Sequence, residues 1–367
     1  MGNKPIYVSK PSAPSFEEYV NEIKDIWDTR MFTNIGKKHL QLEKSLGEYL
    51  NVPNISLFTN GHLALESAID ILQLEGEVIT TPFTFASTVL AILHRGLTPV
   101  FCDIKETDYT IDPSLIEDLI TDKTCAIMPV HVYGNVCDVN EIERVAQKYN
   151  LPVIYDAAHA FGVTKDGIGI GNFGTISMFS FHATKVFHTV EGGALTYTNS
   201  ILNSTCSKIR NFGIANNQVS LIGTNAKMSE IHAAMGLCNL RHIDEYIQKR
   251  SDCINNYKEQ LRGYPGLILN SAQEGVKSNN SYFPIRVIPE AFGKSRDNVI
   301  KKLEQHNIYP RKYYYPLVSD FPIYNEKFTK YRTPVAAKIA DQIITLPLYS
   351  DLQKKDIKRI CEIIVGN

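Results

Sequence analysis

The sequence predicts an α/β fold. Its core is a mostly parallel central sheet flanked by helices, and a smaller α+β C-terminal domain follows. Three observations carry this reading. Short apolar runs alternate with stretches of helical period over the first two thirds of the chain, which is the pattern of βαβ units. The runs are apolar without period-2 alternation, as expected of strands buried on both faces. The pattern then changes near Met228.

Taken in order, the strand-like runs are Ile55–Phe58, Glu77–Thr80, Pro99–Phe101, Cys125–Val130 and Pro152–Tyr155. Leu63 to Leu74 and Val139 to Tyr149 repeat apolar residues at helical spacing between them. Residues 228–262 read as one long helical region. Beyond it lie a strand at Ser281–Val287 and helices at Ser295–His306, Pro334–Ile344 and Lys354–Ile364. The expected division is a large domain over 1–240 and a small one over 241–367, in keeping with roughly 150 residues per domain.

Composition excludes several functions. Lys plus Arg is 38 and Asp plus Glu is 39, a net charge of -1 that lacks the basic face nucleic acid demands. The 7 cysteines form no CxxC, so neither a disulfide framework nor a cysteine zinc site is expected and a reducing compartment is. Met1-Gly2-Asn3-Lys4-Pro5 carries no apolar run, so no signal peptide is expected. Ile6 stands where a myristoylation motif needs Ser or Thr. No stretch approaches the roughly 18 apolar residues of a membrane span. The 10 histidines show no HExxH spacing, and no metal is expected.

Gly169-Ile170-Gly171-Asn172-Phe173-Gly174 matches GxGxxG but has the wrong setting for a dinucleotide fingerprint. Lys165-Asp166-Gly167 before it reads as a hairpin turn, and Thr175–Ser180 after it reads as a strand. Three other segments carry chemistry. Phe58-Thr59-Asn60-Gly61-His62 ends a strand and opens a helix, where free N–H groups can cradle a phosphate; the plainer reading is an N-cap by Asn60. Asp156 ends an apolar strand, either as a site carboxylate or as a helix cap. Lys185 follows Ser177–Phe181, either as a desolvated Schiff-base lysine or as a snorkelling one. Cradle, strand-end Asp and strand-end Lys in this order are the equipment for pyridoxal phosphate (PLP): the lysine binds the aldehyde and the carboxylate keeps the pyridine nitrogen protonated.

Thr81-Pro82-Phe83-Thr84-Phe85, Pro129–Gly134, Asp156-Ala157-Ala158-His159, Ser180–Lys185, Glu191-Gly192-Gly193 and Asn225–Glu230 complete a likeness over nearly the whole chain. The sequence resembles the DegT/DnrJ/EryC/StrS sugar-nucleotide aminotransferases, which have the fold type I architecture. The resemblance implies Lys185, Asp156 and His159 as catalytic residues. It implies Gly61, His62 and Ser180 at the phosphate, Phe85 on the ring face and Asn225 reaching the neighbouring subunit's phosphate in a homodimer with shared sites. The Arg311–Pro316 stretch, with Tyr313, Tyr314 and Tyr315, resembles a segment lining the sugar-nucleotide side, and His188 is grouped with Arg311, Tyr313 and Tyr315 there. His62 replaces the usual Thr of the cradle, which puts its side-chain contact in doubt, and Val318 stands where relatives often have His. The implied activity is transfer from L-glutamate to a dTDP-keto-deoxysugar, with dTDP-4-dehydro-6-deoxy-D-glucose as substrate and dTDP-4-amino-4,6-dideoxy-D-glucose as product. It belongs to O-antigen or other surface-glycan synthesis in a bacterial cytoplasm. Amination at carbon 3 is the nearest rival. A sugar dehydratase of the same fold is disfavoured because those relatives carry His where Lys185 stands. A non-catalytic regulator is the reading from another class.

Overall fold

The computed structural model describes residues 4–324 and 332–366; the Met1-Gly2-Asn3 start read above lies outside them. The central sheet is built from β1 (Ile55–Phe58), β2 (Glu77–Thr80), β3 (Thr98–Phe101), β4 (Thr124–Ile127), β5 (Ile154–Asp156), β6 (Ile176–Ser180) and β7 (Gly193–Thr196). Strands run in the order β1-β7-β6-β5 and β3-β2-β4. The parallel bridges Ile127↔Val153 and Val130↔Asp156 join the two halves. Only β7 runs against its neighbours; the pairings of β5 with β6 and of β2 with β3 and β4 are parallel.

Alternate residues of these strands feed two cores. Leu57, Ile79, Tyr155 and Phe179 pack in one. Phe58, Val78, Ile154 and Met178 pack in the other. That is why the runs show no polar alternation. Helices cover the sheet: α1 (Phe16–Thr29), α2 (Lys37–Leu50), α3 (Gly61–Ile71), α4 (Ala86–His94), α5 (Val139–Tyr149) and α6 (Leu202–Ile209). The GxGxxG segment is a 3-10 turn leading into β6, preceded by the hairpin of Thr164–Lys165 with Ile168–Gly169.

Helix α7 (Glu230–Leu261) runs unbroken through residue 240. Its second half lends Ile254, Tyr257 and Leu261 to the core of the small sheet. That sheet is β8 (Leu267–Leu269), β9 (Phe283–Val287) and β10 (Ile343–Leu346), antiparallel in that order, with helices α8 (Arg296–Glu304), α9 (Pro334–Gln342) and α10 (Lys354–Val365). Two expectations need correction here. The helix expected over Pro334–Ile344 stops at Gln342, because the β-branched run Ile343-Ile344-Thr345 pairs with β9. The strand expected over Cys125–Val130 ends as a ladder at Ile127, leaving one bridge at Val130.

Candidate active site

Strands β1, β5 and β6 point the same way, so Asn60, Asp156 and Ser180 meet at one carboxyl edge of the sheet. A cavity of about 570 Å³ opens there; Gly61, His62, Phe85, Asp156, His159, Ser180, Lys185 and Tyr313 are among its lining residues. Eight sequence-selected residues therefore converge.

Asp156 is buried at the end of β5. Its Oδ2 accepts from Thr88 Oγ1 at 2.8 Å and its Oδ1 from the N–H of Ala158 at 3.1 Å. Burial raises its carboxyl above the ordinary range, against those two bonds and the charge of Lys185. Lys185 follows β6 in a turn closed by its own N–H to His182 O at 2.9 Å. Burial lowers its ammonium to about 8, opposed by Asp156 and Tyr313. Its Nζ sits 5.9 Å from the centroid of the Tyr282 ring. His159 is buried, and burial together with the charge of Lys185 holds its imidazole well below the usual range.

The cradle is a matter of close approach. Asn60 caps α3 by accepting from the N–H of Leu63 at 2.8 Å, a cap that does not use the first-turn N–H groups of Gly61 and His62. A Cβ on Gly61 would meet Ser180 Cβ at 2.9 Å, and one on Gly193 would meet Gly61 N at 2.6 Å. Only glycine fits at either position.

The His62 ring turns sideways, with Nδ1 2.9 Å from Ser87 Oγ and Nε2 3.0 Å from Glu66 Oε1. His94 Nδ1 joins the same carboxylate oxygen at 2.8 Å. This His62-Glu66-His94 group could hold a metal ion, which linear spacing did not foresee because His94 comes from another helix. Arg95 already pairs with Glu66 Oε2 at 3.0 Å and with Asp70, so the group reads as a closed ion-pair network.

A second cavity of about 400 Å³ shares Thr84, Phe85, Tyr313 and Tyr314 with the first and adds Arg311, Lys312 and Tyr315. Arg311 is pinned to β10 by mutual backbone bonds with Thr345 at 3.1 and 2.8 Å. The Tyr315 ring lies 4.6 Å from the Arg296 guanidinium and 5.3 Å from Lys312 Nζ. Phe85 stands between the cavities, 61% exposed, which leaves its ring free to cover a ligand.

Two selected residues are not brought in. His188 is corrected as a substrate-side residue: it is buried behind the site, with Nε2 against Ser12 O and its carbonyl accepting from Asn239 Nδ2 at 2.9 Å. Asn225 is exposed and outside its own chain's cavity, its Oδ1 accepting from Lys227 Nζ at 3.2 Å. Conversely, Tyr282, Thr84 and Glu191 line the cavity without having been selected. Tyr282 gave no local signal.

These residues fit PLP. A glycine-walled cradle beside a hydroxyl and a helix start suits a phosphate. The carboxylate of Asp156 has two donors and room for a third, and an amine stands ready at Lys185.

The model of the DegT/DnrJ/EryC1/StrS aminotransferase family matches residues 15–365. The chain is 42% identical to the dTDP-4-amino-4,6-dideoxy-D-glucose transaminase of Shigella dysenteriae, over 98% of each chain. Its structure superposes on that of DesI in the presence of its TDP-sugar product with a TM-score of 0.95 and 28% identity, covering 99% of this chain and 93% of that one. It also resembles the PLP form of the sugar aminotransferase homologue Spr1654 from Streptococcus pneumoniae, with a TM-score of 0.90 and 27% identity, covering 98% of this chain and 97% of that one.

Proposed function

The chain belongs to the DegT/DnrJ/EryC1/StrS aminotransferase family as a PLP-dependent sugar transaminase, and from that premise we propose that it transfers an amino group from L-glutamate to carbon 4 of dTDP-4-dehydro-6-deoxy-D-glucose. The product is dTDP-4-amino-4,6-dideoxy-D-glucose. The observation that carries the chemistry is the meeting of Lys185, Asp156 and the Gly61 cradle in one cavity. The 42% identity to a transaminase named for this product supports the sugar.

Bound PLP supplies an electron sink that lets a proton leave the donor's α carbon. The chain's own residues do the rest. Lys185 offers an amine whose pKa of about 8 gives it far more free base near neutrality than an ordinary lysine has, and it would serve both as the anchor and as the base that moves the α proton. Asp156 would accept from the protonated ring nitrogen. The N–H groups of Gly61 and His62 and the hydroxyl of Ser180 would hold the phosphate. Phe85 and His159 would border the ring. Arg311, with Tyr313 and Tyr315, holds the nucleotide diphosphate at the mouth.

The working form is a homodimer in which Asn225 reaches the partner's phosphate. Its exposure supports this, as do the exposed apolar Val219 (71%) on the hairpin before it and Ile222 (91%) in the loop between. Residues 1–240 act as the cofactor-binding domain and 241–367 as the smaller one. Among the described residues no helix is long and apolar enough to cross a membrane. The enzyme works in a bacterial cytoplasm and supplies surface-glycan synthesis such as O-antigen.

An absorbance spectrum of the purified holoenzyme tests the reading. A band near roughly 400 nm should vanish with L-glutamate and return with dTDP-4-dehydro-6-deoxy-D-glucose. A return only with a 3-keto isomer moves the amine to carbon 3; a protein that takes up no PLP sinks the proposal.

A further inference from the structure

Asp156 is held from behind by a chain of hydroxyls. Thr88, fully buried on α4, donates from Oγ1 to Asp156 Oδ2 at 2.8 Å. With its proton spent there, Thr88 Oγ1 accepts from Thr84 Oγ1, also at 2.8 Å. A threonine inside a helix can turn its hydroxyl to solvent or back to the carbonyl four residues earlier. Thr88 reaches instead to a residue 68 positions away. Ala158 N–H occupies the other oxygen.

Building on the reading above, we propose that Thr88, backed by Thr84, is a positioning residue that keeps the carboxylate of Asp156 aimed at the cofactor's ring nitrogen. The physical need is plain. Burial favours the uncharged acid, and a neutral acid does not hold a protonated nitrogen. The donors of Thr88 and Ala158 favour the ionised form. The groups facing Asp156 are Lys185, whose charge acts with them, and Tyr314, which stays a neutral phenol through burial. His159 beside them is held neutral.

The test uses the PLP-loaded dimeric or monomeric protein as purified, with Thr88→Val, Thr88→Ser and Thr84→Val. PLP affinity is read by equilibrium dialysis, and ring protonation by the resonance of ¹⁵N-labelled PLP across pH. Thr88→Val keeps the shape and removes the donor; it should weaken PLP binding roughly tenfold or more and let the ring nitrogen lose its proton at lower pH than in wild type. Thr88→Ser should restore both. Thr84→Val should shift both in the same direction by less. A Thr88→Val protein with the wild-type titration overturns the proposal. So does a Thr88→Ser protein as impaired as Thr88→Val, since the methyl packing would then be what matters. Should Thr88→Val fail to fold, Thr84→Val decides, because that residue touches Asp156 only through Thr88: a wild-type titration there overturns the relay. Wild-type protein that binds no PLP sinks the functional reading itself, a different result from normal wild-type binding with indifferent variants.

Discussion

The backbone N–H of Tyr133 donates to Nδ1 of His159 at 3.0 Å. That bond places the single proton of the neutral ring on Nε2, where it faces the Tyr314 hydroxyl at 3.3 Å. Tyr133 adopts φ 59° to deliver the bond, a left-handed conformation rare for a bulky residue. Its ring stacks on Tyr314 at 6.2 Å and its hydroxyl donates to the carbonyl of Tyr313, which holds the turn. The His159 ring should therefore stay neutral. Its ¹⁵N resonances should not move between pH 5.5 and 8.5, over which an exposed histidine titrates about pH 6.5; a midpoint inside that window would contradict the geometry.

Lys185 sets the pH dependence of cofactor loading. Its folded pKa is depressed from the ordinary 10.5 to about 8, so the reactive free amine grows as pH rises through 8. The rate at which cofactor-free enzyme takes up PLP should climb across that pH and level off above it. Lys185→Ala should abolish turnover and leave PLP removable by dialysis.

Gly61→Ala tests the cradle. The added methyl would lie 2.9 Å from Ser180 Cβ and 3.2 Å from Met178 Sδ, against the backbone of β6. Crowding of this kind costs about 1–3 kcal/mol. The thermal midpoint should drop and PLP binding should weaken together.

Arg311→Ala separates the two half-reactions. Loss of a charge-assisted contact to a diphosphate costs about 1.5–3 kcal/mol, so KM for the sugar nucleotide should rise roughly ten- to hundredfold. Bleaching of the cofactor band by glutamate should be unchanged.

Glu43 anchors α2 to β1. Burial would raise its carboxyl, but the hydrogen bond with His39 at 3.2 Å and the Arg210 guanidinium at 2.7 Å hold it at about 2. The folded value lies below the ordinary 4.5, so this contribution to stability is full above pH 4.5 and is lost as pH falls towards 2. Glu43→Ala should cost about 3–5 kcal/mol at pH 7 by stranding Arg210, measured by urea unfolding, and should flatten the acid limb of the stability curve.

Local pattern along the chain carried the layers and the equipment of the site. Strand and helix periods are local, so Ile55–Phe58 and Val139–Tyr149 appear in the structure with the bounds their patterns predict. Asp156 and Lys185 were legible because parallel strands put their carboxyl ends on one edge. Which side chains meet is a property of the folded chain. It alone drew Thr88 to Asp156 across 68 residues and Tyr314 to His159 across 155. It buried His188 against Ser12 and Asn239 and ended α9 at Gln342. Hydrogen bonds between distant segments and strand pairing depend on distances in space, which no window along the chain contains.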